Sequence, residues 1–123
     1  MNNNFKIIIP LYNVEKWIKK CIRSVALQDY KNYECIIIDD LSTDKSVDII
    51  KKEIKTDSRF KLVENKTKCY ALKNIYNSIK ALDPNDEDVI VTLDGDDWFA
   101  NRSVLSTINN VYNDKKCWMT SGS

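Results

Sequence analysis

The chain has 123 residues, 43% of them hydrophobic and 30% charged, with 19 Lys plus Arg against 18 Asp plus Glu. That suffices for one domain with a proper core, and a net charge of +1 excludes the strongly basic balance of a nucleic-acid binder. With no histidine and only two glycines, Gly95 and Gly122, the sequence excludes Ser-His-Asp triads, His-zinc sites and glycine-rich phosphate cradles of the GxGxxG or GxxxxGK[ST] kind.

The apolar period alternates along the chain. Residues 5–10 form a β-branched run ended by Pro10, a buried strand. Val14, Trp17, Ile18, Cys21, Ile22 and Val25 then mark one helix face, with Asn13 placed to cap it. Residues 33–38 give a second strand, followed by a helix with Val47, Ile50 and Ile54 on its face and Ser42 or Thr43 as its cap. The more polar residues 60–64 read as a strand near an edge. Ala71, Ile75, Ile79 and Leu82 mark a third helix stopped at Pro84. Residues 89–93 form another buried strand, and Val104, Leu105, Ile108, Val111 and Tyr112 mark a fourth helix. Residues 117–119 begin a fifth strand. Such alternation predicts an α/β fold, a mostly parallel open sheet with helices on both faces. Residues 1–123 read as a single domain that stops just after a strand, as though cut before a further half. No run approaches the ~18 apolar residues of a membrane helix, and the start Met1-Asn2-Asn3-Asn4 is no signal peptide. Cys21, Cys35, Cys69 and Cys117, without CxxC spacing, therefore read as reduced thiols of a cytoplasmic protein, mostly in the core.

Ligands of open α/β sheets collect outside the carboxyl ends of the strands. Three segments follow strands there: Pro10-Leu11-Tyr12-Asn13, Asp39-Asp40-Leu41-Ser42-Thr43-Asp44 and Asp94-Gly95-Asp96-Asp97-Trp98. Asp39, Asp40, Asp94, Asp96 and Asp97 would share one rim, where like charges raise one another's pKa unless something positive sits among them. With oxygen ligands throughout, the fitting neutraliser is Mg²⁺ or Mn²⁺, held by Asp94-Gly95-Asp96 with the glycine letting the chain bend. Plainer readings stand beside these: Asp39 and Asp40 serve equally well as turn formers or helix caps. Tyr12 and Trp17 read as packing residues, Trp98 suits either role, and Lys68 and Lys73 read as solvated lysines unless a phosphate lies near.

Taken together, Ile7-Ile8-Ile9-Pro10-Leu11-Tyr12-Asn13, Ser24-Val25-Ala26-Leu27-Gln28, the segment from Glu34 to Asp44, and Asp94-Gly95-Asp96-Asp97 resemble the nucleotide-sugar-binding half of a family 2 glycosyltransferase with the GT-A fold. The resemblance implies a Rossmann-like donor domain in which Pro10 and Tyr12 frame a uracil and Asp40 accepts its N–H. Lys68 would face the base or the phosphates, and Asp94 would hold ribose or sugar hydroxyls. Asp96 and Asp97, in the stretch that carries the DXD motif, would bind Mn²⁺ or Mg²⁺ on the diphosphate. It implies transfer of a hexosyl or N-acetylhexosaminyl unit from a UDP-sugar, with inversion, to a glycan or other hydroxyl acceptor, as in polysaccharide biosynthesis. The catalytic base is then expected beyond residue 123. The chain departs from the family pattern at Asn65-Lys66-Thr67 and Leu72-Lys73-Asn74, which lack the usual glycine. Two other readings remain open: a receiver-like domain whose Asp cluster binds Mg²⁺ and accepts a phosphoryl group, and a non-catalytic nucleotide-sugar binder.

Overall fold

A computed structural model of the chain describes residues 4–70, 73, 75, 77, 79, 80, 88–115 and 119–121, with backbone alone for 112–115 and 119–121. Five strands, β1 (Phe5–Leu11), β2 (Tyr33–Asp39), β3 (Phe60–Glu64), β4 (Val89–Thr92) and β5 (Met119–Ser121), form one sheet in the order β3-β2-β1-β4-β5. Every neighbouring pair is parallel. Helices α1 (Ile18–Ala26), α2 (Ser46–Ile54) and α3 (Val104–Lys115) alternate with them, and described residues between β3 and β4 are helical as well. The α/β expectation holds, and β3 lies at the edge that its polar composition predicts.

The period-2 alternation of β1 divides the core. Phe5, Ile7, Ile9 and Leu11 join Ile18, Cys21, Ile22 and Val25 of α1, Ile50 of α2 and Leu105 of α3 in one buried cluster. Ile8, Ile36 and Ile38 point the other way, where Ile75 and Ile79 pack against them. Residues 73, 75, 77, 79 and 80 are helical, as the spacing predicts, so both faces of the sheet are covered. Ala71, Leu82 and Pro84 of that predicted helix, and Cys117 of the predicted fifth strand, lie outside the described residues.

Four local expectations are corrected. Asn13 does not cap α1: it sits at φ 51°, and the helix begins only at Ile18. A left-handed residue cannot serve as an ordinary cap, whose backbone is extended. Neither Ser42 nor Thr43 caps α2; the Asp44 carboxylate accepts the Ser46 N–H at 2.9 Å instead. Trp17 is 43% exposed, because the late helix start turns it away from the apolar face. Cys69 is only partly buried, since its loop is at the rim, whereas Cys21 and Cys35 are buried as expected.

The order of the strands fixes where a ligand can go. From β1 the chain steps to β2 and β3, then returns to the far side of β1 to lay down β4. The winding reverses between β1 and β4, and the loops after these two strands flank the crevice that such a reversal opens.

Candidate functional site

The rim is built loop upon loop. Asp40 donates its N–H to the Leu11 carbonyl at 3.0 Å, and Asn65 donates to the Asp39 carbonyl at 2.9 Å, joining the ends of β1, β2 and β3. Asn13 locks the first two loops together: its N–H donates to Ser42 Oγ at 2.9 Å, while its Oδ1 accepts the Thr43 N–H at 2.7 Å. Glu15 donates its N–H to the Asp44 carboxylate at 3.1 Å. Non-glycine residues with positive φ, Asn13, Leu41 and Tyr70, all lie on these loops. Backbone strain of this kind persists only where the surroundings over-determine it, and it gathers at functional sites.

These loops and the one after β4 border an open cavity of about 540 Å³ lined by Pro10, Tyr12, Asp40, Lys68, Asp94 and Asp96, with Leu11, Val14, Tyr70 and Gly95 completing it. Six of the seven residues singled out from the sequence therefore meet in one place. The seventh, Asp97, is not among the lining residues; its N–H donates to the Asp94 carbonyl at 2.9 Å and its Oδ1 accepts the Trp98 N–H at 3.1 Å. Tyr70 was missed because nothing in the spacing shows that the loop after β3 folds back over β2. Leu11 and Val14 were missed because apolar residues beside a strand end look like ordinary core.

Asp40 is only 3% exposed and is held on all sides. Its Oδ1 accepts the Cys69 N–H at 2.7 Å and the Asn65 amide at 3.1 Å, and its Oδ2 accepts the Tyr70 N–H at 2.7 Å. Lys68 Nζ stands 3.5 Å from Oδ2. Burial pushes the Asp40 pKa up, but the Cys69 N–H, the Asn65 amide, the Tyr70 N–H and the Lys68 charge outweigh it, so the carboxyl titrates below its ordinary value. Lys68 Nζ also lies 3.1 Å from the centroid of the Tyr12 ring and 5.5 Å from that of Tyr70. Tyr12 is 48% exposed and so presents a ring surface to the cavity instead of packing in the core. Lys68 is no free surface lysine: it is a cation fixed between aromatic faces and a buried carboxylate.

The opposite wall is electronegative. Burial and then the charges of Asp96 and Asp97 raise the Asp94 pKa. The buried Cys21 thiol behind them is pushed up to about 12, by burial first and then by Asp97, Asp96 and Asp94. After burial, the neighbouring carboxylates are the further cause of both shifts, and an oxygen-ligated divalent cation would offset that negative charge. Among the described residues no group of three or more His, Cys, Asp or Glu side chains is arranged to hold a metal ion by itself. That is compatible with Mg²⁺ or Mn²⁺ chemistry, in which one or two carboxylates share the ion with water and a ligand's phosphates.

Gly95 is required for a different reason from the one its sequence suggests. Its φ is not left-handed, so no unusual bend depends on it. A Cβ added there would stand 2.6 Å from Leu11 Cβ and 3.1 Å from Val14 Cγ2. The glycine lets the acidic loop lie directly on the end of β1, where its N–H donates to the Pro10 carbonyl at 3.2 Å. Gly95→Ala is expected to lower unfolding free energy by roughly 1–3 kcal/mol, as overpacking does, in a urea titration. An unchanged midpoint would show that the loop has room to move.

Comparison with known proteins agrees with this geometry. The model of the family described as glycosyl transferase family 2 matches residues 6–120. An "uncharacterized glycosyltransferase" of Haemophilus influenzae is 40% identical over 105 residues, which cover 84% of this chain and 40% of that protein. The structure of Staphylococcus aureus TarS 1–349 in complex with UDP superposes with a TM-score of 0.79 at 25% identity, over 92% of this chain and 33% of TarS. The mannosyltransferase PcManGT from Pyrobaculum calidifontis, in complex with GDP-Man and Mn²⁺, shares the fold with a TM-score of 0.75 at 20% identity, over 90% of this chain and 32% of PcManGT. The chain thus spans about a third to two fifths of the length of these relatives. A receiver-like domain of the CheY type would have strand order 2-1-3-4-5, unlike the order found here. Fold, rim and family model converge: the chain belongs to glycosyl transferase family 2 and has the GT-A, Rossmann-like architecture.

Proposed function

We propose that the cavity between the β1 and β4 loops binds a UDP-sugar together with Mn²⁺ or Mg²⁺, and that the residues present form the donor side of an inverting sugar transfer to a hydroxyl acceptor. The observation that carries this reading is the pairing of a cationic, aromatic wall (Tyr12, Lys68, Tyr70) with an acidic one (Asp94, Asp96) across a single cavity. The first wall offers an aromatic face for a base and positive charge for phosphates, and the acidic one offers oxygen ligands for a cation that would neutralise a diphosphate. The UDP bound to TarS and the GDP-Man and Mn²⁺ bound to PcManGT lend support from the same fold.

Each residue then has a task. Pro10 and Tyr12 border the uracil. Asp40 has about four acceptor positions, three filled by chain donors, and the one that Lys68 approaches is left for the uracil N–H. Lys68 leaves the Tyr12 ring for the phosphates when the base arrives. Asp94 receives ribose or sugar hydroxyls, and Asp96 with Asp97 would hold the cation. When bound, that ion supplies charge neutralisation to the leaving nucleoside diphosphate. The acceptor oxygen attacks the anomeric carbon opposite the breaking bond to UDP, and a base supplied from outside the described residues takes its proton. Among the described residues no helix is long and apolar enough to cross a membrane.

UDP is expected to raise the melting temperature only with Mn²⁺ or Mg²⁺ present. At 100 times its dissociation constant it should add about 2.7 kcal/mol. No shift with any nucleotide and metal overturns the proposal, while binding without transfer or hydrolysis would assign the chain to donor binding alone.

A further inference from the structure

Ser24 and Gln28 lie in a segment that the proposed function leaves without a task. Between β4 and α3 the chain carries Asp94, Asp96 and Asp97 and contains no helix or strand to hold it. Apart from the Gly95 N–H on the Pro10 carbonyl, its attachments beyond β4 are to α1 and to the residues just after that helix. The Cys21 thiol donates to the Asp94 carbonyl at 3.7 Å. Ser24 Oγ accepts the Phe99 N–H at 3.0 Å and donates to the Cys21 carbonyl at 2.7 Å. Gln28 is fully buried, and its amide is used completely: Nε2 donates to the Asn101 carbonyl at 2.6 Å and the Ser24 carbonyl at 3.1 Å, while Oε1 accepts the Leu105 N–H at 3.0 Å. Arg102 and Asp29 add two further links, from Asp29 N–H to the Arg102 carbonyl and from Arg102 Nε to the Leu27 carbonyl.

Cys21 and Ser24 lie three residues apart on one edge of α1, and Gln28, two residues past the helix end, reaches back to the Ser24 carbonyl. A buried glutamine with both donors and its acceptor satisfied specifies one arrangement of the backbone it joins. On the functional reading above, we propose that Ser24 and Gln28 are positioning residues that set the acidic loop for the metal and the diphosphate. They touch neither ligand: they act through the Phe99, Asn101 and Leu105 backbone on the carboxylates upstream. The base-binding wall lies on other loops and meets the acidic one through the Gly95 N–H on the Pro10 carbonyl, which neither residue touches, so nucleoside affinity should depend on them far less than Mn²⁺-UDP affinity does.

The test uses the 123-residue chain with Gln28→Glu, which keeps size but sets a carboxylate against two carbonyls, and with Ser24→Ala. Ser24→Thr restores the hydroxyl, and Ile50→Val in α2 serves as a destabilised control remote from the loop. Calorimetry measures UDP with Mn²⁺, UDP in chelator, and uridine alone. Q28E and S24A should weaken Mn²⁺-dependent UDP binding about tenfold or more, the scale typical of groups that orient metal ligands, and leave uridine within about twofold. S24T should recover most of the loss, and I50V should change neither. Unchanged Mn²⁺-UDP affinity in the loop variants, or an equal fall for uridine, overturns the proposal. If the unsubstituted chain binds UDP equally well in chelator, the functional reading itself fails and this proposal with it.

Discussion

Asp96→Ala is expected to abolish the difference between UDP binding in Mn²⁺ and in chelator. Of the two carboxylates proposed to hold the cation, Asp96 lines the cavity, while Asp97 does not and has one oxygen committed to the Trp98 N–H. Losing the better placed ligand should weaken Mn²⁺-UDP by about tenfold or more, or about 1.4 kcal/mol, since Asp96 is exposed and its contact stays partly solvated. Without ligand the same substitution removes a repulsive charge from beside Asp94, so the folded chain should lose no stability. Calorimetry with a parallel urea titration checks both parts. Retention of full Mn²⁺ dependence in D96A would remove Asp96 from the metal site. Asp94 supplies an independent pH signature. Its carboxyl titrates above the ordinary 3.8 in the folded chain, so across that window the folded state holds more protons than the unfolded one. Its contribution to stability is therefore complete at lower pH and declines as pH rises through the folded value. A bound cation should reverse this trend.

Asp40→Ala is expected to cost the most stability of any single change in the cavity, roughly 3–5 kcal/mol, because it strands partners of a buried charge. The N–H groups of Cys69 and Tyr70, the Asn65 amide and the Lys68 ammonium would all lose their common acceptor. Against the ~5–15 kcal/mol that usually separates folded from unfolded chains, this is a large fraction. Urea denaturation should show it as a lower midpoint with an unchanged slope. Loss below about 1 kcal/mol would mean that the loop from Asn65 to Tyr70 is held by something else. The pH dependence runs opposite to that of Asp94. The Asp40 pKa is lowered on folding, so its stabilisation is present above the ordinary 3.8 and is lost as pH falls through the folded value. In D40A that acid-side loss should shrink.

Much of this protein was legible before its fold was known. Apolar period predicts each strand and helix among the described residues, since burial of one face imposes period 2 or 3.6 wherever a core exists. Ends of elements were less legible. Asn13 looks like a cap because its side chain is an acceptor, yet that acceptor is taken up by Thr43 across the rim. Trp17 shows the same limit: it keeps helical spacing but lies just before the helix begins.

Composition by itself removed histidine chemistry and glycine cradles, and strand-following residues nominated the acidic and aromatic groups, because such residues must gather at one end of a parallel sheet. Only the tertiary structure decided which groups meet. It placed Lys68 over Tyr12 and against Asp40, brought Tyr70 into the cavity, and left Asp97 off its wall. It also changed the reason for Gly95 from a bend to a close contact with Leu11. The physical cause is common to all four: the spacing of residues encodes which face is buried, whereas the contacts between loops arise from strand order, and strand order depends on interactions far apart in the chain.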